Sequence, residues 1–428
     1  MKVIIKNIYE SFVRLINHVI FKNFTALSFL QISNYIFPLI TLPYLVRILG
    51  PEKYGLVNLT IAFISYFNIL TDFGFAYSAN HEISINRDNK PKVESILSSI
   101  LTIKTILLII STMIFLILIF IVPFFKKDFN AYLIAILILA GNTYSSNWFF
   151  QGMERMKYIT YINFSAKLIF TILIFLIIHT QSDFISLIGL NGLFSIGISI
   201  GGILLITKKF GYRLVFPKLD EIIFQFNEGK LIFVSNIGIS LYAISNTFLL
   251  GLFTNNIIVG YYSAADKLRT AMQALLSPLS QSLYPRFAFL FKNSFNEAVL
   301  LVKKIYFIIS ILGILIGTFT IIYSKELVIY ILGINYLPSI PIIRIMAFVP
   351  LIVGISNLSG IQVLLNLNEK GNFMRIILVA ALINLILLFI LIPIDKAIGA
   401  AYSMLITEIF VTSILSLFAY KKIALLRK

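Results

Sequence analysis

Long apolar runs, each broken by a short polar connection, set the pattern of this chain. Stretches such as "ILLIISTMIFLILIFIV" (106–122) and "IILVAALINLILLFILIPI" (376–394) reach the ~20 residues a helix needs to cross ~30 Å of hydrocarbon. Spans are predicted at 24–49, 54–79, 96–122, 129–151, 158–180, 183–207, 229–253, 257–284, 305–323, 339–365, 373–394 and 397–420. No period-two alternation between turns suggests a barrel. The expected fold is therefore an all-α polytopic membrane protein of about twelve transmembrane helices.

The longest polar connection, 208–228, falls near the middle and divides six spans from six, which predicts lobes at 24–207 and 229–420. Shifting the sequence by 205 residues lays "LGPEKYGLVNLTIAF" (49–63) on "TNNIIVGYYSAADKL" (254–268), with Gly55 on Gly260. Halves of six helices share one orientation and pack about an axis along the membrane normal, a transporter layout. Residues 1–23 carry Ile5, Ile8, Phe12, Leu15 and Val19 at helical spacing, the pattern of an amphipathic helix on the cytoplasmic surface rather than a cleaved signal. Residues 421–428 form a basic tail.

Apolar residues make up 59% of the 428 and charged ones 12%, against about a quarter charged in a soluble domain. The net charge of +17 does not point to nucleic acid, because the basic residues are scattered among connections. Connections on the side of the N-terminus hold 24 of the 35 Lys and Arg, and those opposite hold 6. Cytoplasmic loops accumulate Lys and Arg, so both termini are expected in the cytoplasm. The absence of cysteine excludes disulfides and thiolate sites, and His18, His81 and His179 have no metal-ligand spacing. No cofactor or metal is expected.

Five basic residues, Lys104, Lys167, Lys267, Arg269 and Arg344, fall inside spans. A charge at the middle of a membrane helix costs ~3 kcal/mol on insertion scales, so it faces protein or a wet cavity. Asp266 lies nine residues into the eighth span, ~14 Å at 1.5 Å per residue. Asp266, Arg269, Thr270, Gln273, Ser277, Gln281 and Tyr284 recur at spacings of three and four as one polar stripe. The second span shows a weaker version with Asn58, Ser65, Asn68 and Asp72. The first places Gln31, Asn34, Pro38 and Thr41 together, with Pro38 and Pro43 as sites of bending.

Two readings of these charges stand side by side. Asp266 and Arg269 form a structural i,i+3 ion pair, or they belong to a binding site. Lys104, Lys167, Lys267 and Arg269 outnumber Asp266 and Glu408, which favours an anionic visitor. Glu408 and Asp72 either bind a coupling ion, H+ or Na+, or pair a lysine. Arg344 reads as a headgroup anchor, and Trp148 as a belt anchor ahead of a sugar platform.

The blocks "YLVRILGPEKYGLVNLTIAFISYFNILTDFGFAYSANHEIS" (44–84), "NWFFQGMERMKYIT" (147–160) and "GYYSAADKLRTAMQALLSPLSQSLYPR" (260–286) resemble the bacterial O-antigen flippases. These belong to the multidrug, oligosaccharidyl-lipid and polysaccharide exporter superfamily, and the resemblance covers essentially the whole chain. It implies two six-helix lobes around a central cationic cavity lined by the first, second, seventh and eighth helices. It also implies a multi-pass protein of the bacterial inner membrane that moves undecaprenyl-pyrophosphate-linked oligosaccharide from the cytoplasmic to the periplasmic leaflet. Its partners would be that lipid, the surrounding membrane lipids and other polysaccharide-assembly proteins.

On that reading Arg269, Lys267, Lys104 and Lys167 attract the pyrophosphate, and Gln31, Asn34, Asn68 and Gln273 meet sugar hydroxyls. Asp266, Glu408 and Asp72 serve coupling or charge pairing. The seventh span, with Asn236 and Asn246 and no charge, gives no cationic lining. Competing readings are a lipid II or teichoic-acid precursor flippase, a multidrug exporter, and a membrane glycosyltransferase or polymerase. The last lacks the large extramembrane loop in which acid–base groups are assembled.

Overall fold

Exposed apolar side chains follow helical spacing along Lys90–Ile121: Ile106, Ile109, Ile110, Met113, Ile114, Ile117, Phe120 and Ile121 face outward, whereas Ser111, Phe115 and Ile119 are buried. An apolar stripe turned away from the protein is the pattern of a helix whose outer solvent is lipid. The computed structural model describes residues 19–426. Side chains are described throughout that range except at 19–32, 35, 231, 234–236, 239–243, 277–282 and 285. The described residues form helices and no strands. The expected amphipathic helix at 1–23 and the last residues of the basic tail lie essentially outside them.

Eight helical segments among the described residues are long and apolar enough to cross a membrane. Two of these each hold a pair of helices. Val19–Asp72 runs helically past Pro38 and Pro43 and is interrupted at Gly50 (φ 66°, ψ 173°), and Lys370–Leu426 is interrupted at Lys396 (φ 51°, ψ −121°). The span expected at 257–284 is Asn256–Ala274 followed by Ser277–Asn293. Three charges, Asp266, Lys267 and Arg269, keep its first part out of the eight. The span expected at 229–253 is the second part of Leu219–Phe253, whose side chains are described only in part.

Local chemistry sets several boundaries. Pro91 follows the N-cap Asn89, whose side chain accepts from the Lys92 amide at 3.1 Å. Asn255 caps Asn256–Ala274 by accepting from the Ile258 amide at 3.1 Å. At the Lys396 reversal a Cβ on Gly399 would lie 2.1 Å from the Leu391 carbonyl oxygen, so only glycine permits the close approach.

The chain folds as two compact units. One holds the chain up to Pro38 with Ile64–Ile178 and Ile185–Asn236; the other holds Leu39–Phe63, His179–Phe184 and Ile237–Lys428. Leu39–Phe63, expected within the 24–207 lobe, thus packs in the second unit. There Phe63 stacks on Phe248 with ring centroids 5.3 Å apart, and the Cβ of an alanine at Gly251 would meet Leu59 at 2.4 Å. The first unit's core gathers Phe73, Phe75, Phe149, Phe150 and Trp148. Trp148 is 4% exposed, which corrects the expectation of a belt anchor: its ring fills a protein core, edge-on to Phe149. The second unit's core gathers Phe287, Ile305, Leu358, Val363 and Leu415.

At the end of the last two helices, Glu369 accepts from Lys422 Nζ at 2.5 Å and from Asn372 Nδ2 at 2.7 Å. Lys422 and then Asn372 hold its carboxyl below the usual carboxylate range. A carboxylate depressed in the fold stabilises it above the unfolded-state value of ~4.3 and loses that contribution as pH falls through the lower folded value. Amide exchange in the last three turns, 417–426, corrected for intrinsic pH dependence, is expected to quicken across that acidic window. Glu369→Gln should show the faster exchange already at neutral pH.

Candidate functional site

Each unit carries a cluster of polar groups inside helices read as membrane-spanning. In the first unit Asn68 and Asp72 stand one turn apart on the second helix. The Lys104 ammonium lies 3.6 Å from Asp72 Oδ1 and donates to the Thr143 carbonyl at 3.1 Å. Lys104 is 2% exposed and Asp72 40%, so the cation is deep and its carboxylate reaches outward. Asn68 Oδ1 is buried with no hydrogen-bond partner among the described residues. Lys167, half-buried, donates to Asn34 Oδ1, and beside them Phe37 and Phe164 pack at 5.6 Å between centroids. Gln31 is described in backbone only.

The Lys104–Asp72 pair changes the charge count made from the sequence, since Asp72 supplies a third carboxylate and answers Lys104 directly. Removing one member of a buried ion pair costs ~3–5 kcal/mol, because the other is left uncompensated. Asp72 is partly exposed, so the lower end applies. Asp72→Asn is expected to lower the thermal midpoint of the purified protein, and Asp72→Asn with Lys104→Met to restore most of it. A double variant as unstable as the single one would contradict the pairing.

In the second unit, Asn256–Ala274 places Asp266, Arg269, Thr270 and Gln273 on one face. Arg269 Nε donates to Asp266 Oδ1 at 2.7 Å, Nη2 to Thr270 Oγ1 at 3.0 Å, and Nη1 to Gln273 Oε1. Thr270 donates in turn to the Asp266 carbonyl at 2.8 Å. The i,i+3 pair allowed from the sequence is therefore formed, and it borders a cavity of about 210 Å³ that Asn246, Thr247, Tyr262, Met404 and Glu408 complete. Arg269 is 12% exposed and Asp266 31%, so the guanidinium is held largely out of water with a cavity on one side. Lys267, one residue from Asp266 and so turned about 100° around the helix, is exposed and is not among the residues lining that cavity.

Behind this cavity lies a fully buried amide–hydroxyl cluster that no charge in the sequence marks. Asn384 Nδ2 lies 3.3 Å from Ser403 Oγ, 3.3 Å from Thr407 Oγ1 and 3.4 Å from Asn246 Oδ1, and Ser403 Oγ donates to the Asn384 carbonyl at 3.2 Å. Ser403 and Thr407 share one face of the last helix, and Met404 and Glu408 share the adjacent face that reaches the cavity. That i,i+4 pairing beside Glu408 was the available sequence signal; the partner Asn384 sits alone in an apolar run. Among the described residues no group of three or more His, Asp or Glu is placed to hold a metal ion.

The chain matches the family described as polysaccharide biosynthesis protein over residues 20–291. It is 31% identical over 398 residues to a protein of Escherichia coli (strain K12) named "Putative O-antigen transporter", covering 93% of this chain and 96% of that one. Among solved structures it resembles an inward-facing MATE-family multidrug transporter of the MOP superfamily (TM-score 0.70, 13% identity, 94% of this chain and 99% of that one). It also resembles the lipid II flippase MurJ in an inward closed conformation (TM-score 0.69, 16% identity, 93% and 87%). With two apolar-helix units, intramembrane ion pairs and a relative aligned along nearly the whole of both chains, this multi-pass membrane protein belongs to the polysaccharide biosynthesis protein family and has the fold of the MOP-superfamily transporters.

Proposed function

We propose that this protein is a flippase of the bacterial inner membrane that carries undecaprenyl-pyrophosphate-linked oligosaccharide, an O-antigen or related repeat unit, from the cytoplasmic to the periplasmic leaflet. On this reading both termini face the cytoplasm, which the 24-to-6 split of basic residues supports. The relative named as an O-antigen transporter and the flippase fold of a structural neighbour support this reading. The observation that carries it is Arg269, poised on the edge of a cavity within a membrane helix.

A guanidinium has five N–H donors, and the hydrogen bonds to Asp266, Thr270 and Gln273 engage three. The rest suit a phosphate oxygen, which a guanidinium fork binds better than an ammonium does. Thr247, Asn246 and Gln273 supply neutral donors and acceptors that re-aim among sugar hydroxyls without adding charge. Lys167 on Asn34, with only a neutral partner described, offers a second contact for anion. Alternating exposure of such sites carries the polar headgroup across while the polyprenyl tail stays in lipid. On this reading Glu408, on the same cavity, takes H+ or Na+ as coupling ion, and Asp266 serves as the charge partner of Arg269. The role is transport without bond-making, in keeping with the name of the relative.

A reconstituted flipping assay with undecaprenyl-pyrophosphate oligosaccharide tests the proposal. Wild type should flip it, with a rate that responds to a pH or Na+ gradient. Glu408→Gln should abolish that response. Flipping of lipid II in preference to the oligosaccharide would favour the lipid II reading, to which the neighbouring flippase fold lends support. Absence of flipping for every lipid-linked sugar would overturn the assignment.

A further inference from the structure

Where Phe295–Ile322 begins and the last helix ends, the second unit holds an open cavity of about 770 Å³, within the ~300–1,000 Å³ typical of ligand sites. Val299, Val302, Val363 and Ala419 form buried apolar walls. On its floor Tyr306 Oη hydrogen-bonds Ser416 Oγ at 3.1 Å and also Ser359 Oγ, and the two serine hydroxyls meet at 3.0 Å. These hydroxyls satisfy one another, so the floor has little call on water.

Lys303 and Tyr420 stand at the rim, both exposed. The lining holds no carboxylate, and among the described residues Lys303 forms no ion pair, whereas nearby Lys422 is taken by Glu369. Lys304 and Lys421 adjoin the rim residues in sequence. An apolar slot with a cation and a phenol at headgroup depth matches an acyl chain below a phosphate, and basic pockets between membrane helices select anionic headgroups.

We propose that this cavity is a resident site for an anionic diacyl phospholipid, with an acyl chain against the valine walls and the phosphate at Lys303. The assignment of that lipid to the cytoplasmic leaflet rests on the orientation given above; the binding itself does not. It shares no lining residue with the Arg269 cavity.

The full-length protein, placed in phosphatidylcholine nanodiscs doped with phosphatidylglycerol bearing a photoreactive acyl chain, should be labelled on peptides spanning 299–306 and 416–424. Lys303→Glu should reduce that labelling ~5-fold or more, and Val302→Trp, which fills the slot, should do the same. Lys157→Glu, in the first unit, should leave it unchanged. Equal labelling by a photoreactive phosphatidylcholine, or labelling that survives Lys303→Glu, would overturn the proposal. So would displacement of the phosphatidylglycerol by an equimolar amount of undecaprenyl phosphate, which would make the slot a seat for the carried lipid. Lys303→Gln should flip substrate like the wild type, so loss of this site and loss of flipping report separately.

Discussion

Arg269→Ala is expected to abolish flipping while the protein still inserts and folds. Two effects contribute, and they separate cleanly. The substitution frees Asp266 from its 2.7 Å partner; Asp266 is about a third exposed, so water screens the orphaned carboxylate and the stability cost should stay near ~1–2 kcal/mol, below that of a fully buried pair. It also removes the guanidinium that borders the 210 Å³ cavity, and losing a desolvated charge partner of a phosphate costs ~2–5 kcal/mol of binding, or at least ~30-fold in transport at limiting substrate. The decisive comparison is Arg269→Gln with Asp266→Asn. If the pair only holds the helix in place, removing both charges should restore transport. If Arg269 meets the phosphate, the double variant should regain stability and stay inactive. Recovery of flipping would end the proposed role of Arg269.

Gly55→Val should be the most destabilising single substitution among the helix-packing glycines. A Cβ at Gly55 would lie 1.8 Å from the Asn256 carbonyl oxygen, and one at Gly260 would lie 2.0 Å from the Pro51 carbonyl oxygen. The contact is reciprocal under the 205-residue repeat, because Asn256 stands to Gly260 as Pro51 stands to Gly55. Two hairpins of like sequence therefore cross backbone to backbone around a local two-fold axis. No flexible side chain is available to yield, so the usual overpacking cost of ~1–3 kcal/mol is a lower bound. A fall of several degrees in the thermal midpoint is expected, with transport lost in parallel. Gly197→Ala supplies the control: nothing lies within 4 Å of its added methyl, and alanine in place of glycine gains ~0.5–1 kcal/mol of helix propensity. Equal behaviour of the two variants would contradict the crossing.

The same residues show how far sequence alone reached. Local rules were legible. The polar face from Asp266 to Gln273 followed from spacing of three and four, which backbone geometry fixes without a partner. The glycine repeat was visible as a faint alignment, but its meaning as a crossing was not. Lys104 illustrates the limit: its carboxylate lies 32 residues away on another helix, and nothing in either local sequence matches them. Trp148 illustrates it differently, since an aromatic near a helix end suits an interface equally well until neighbours surround it.

Hydrophobic run length, connection charge and helical periodicity determined by themselves that this is an α-helical membrane protein with charges sunk in its helices, because each depends on a residue's own chain neighbours and on the bilayer. Which carboxylate answers which cation, which face of Asn256–Ala274 borders a cavity while Lys267 turns away, and that Leu39–Phe63 packs with the later half were decided only by tertiary structure. Those are choices among partners distant in sequence, settled by close packing and by the high cost of leaving a charge or an amide unpaired away from water.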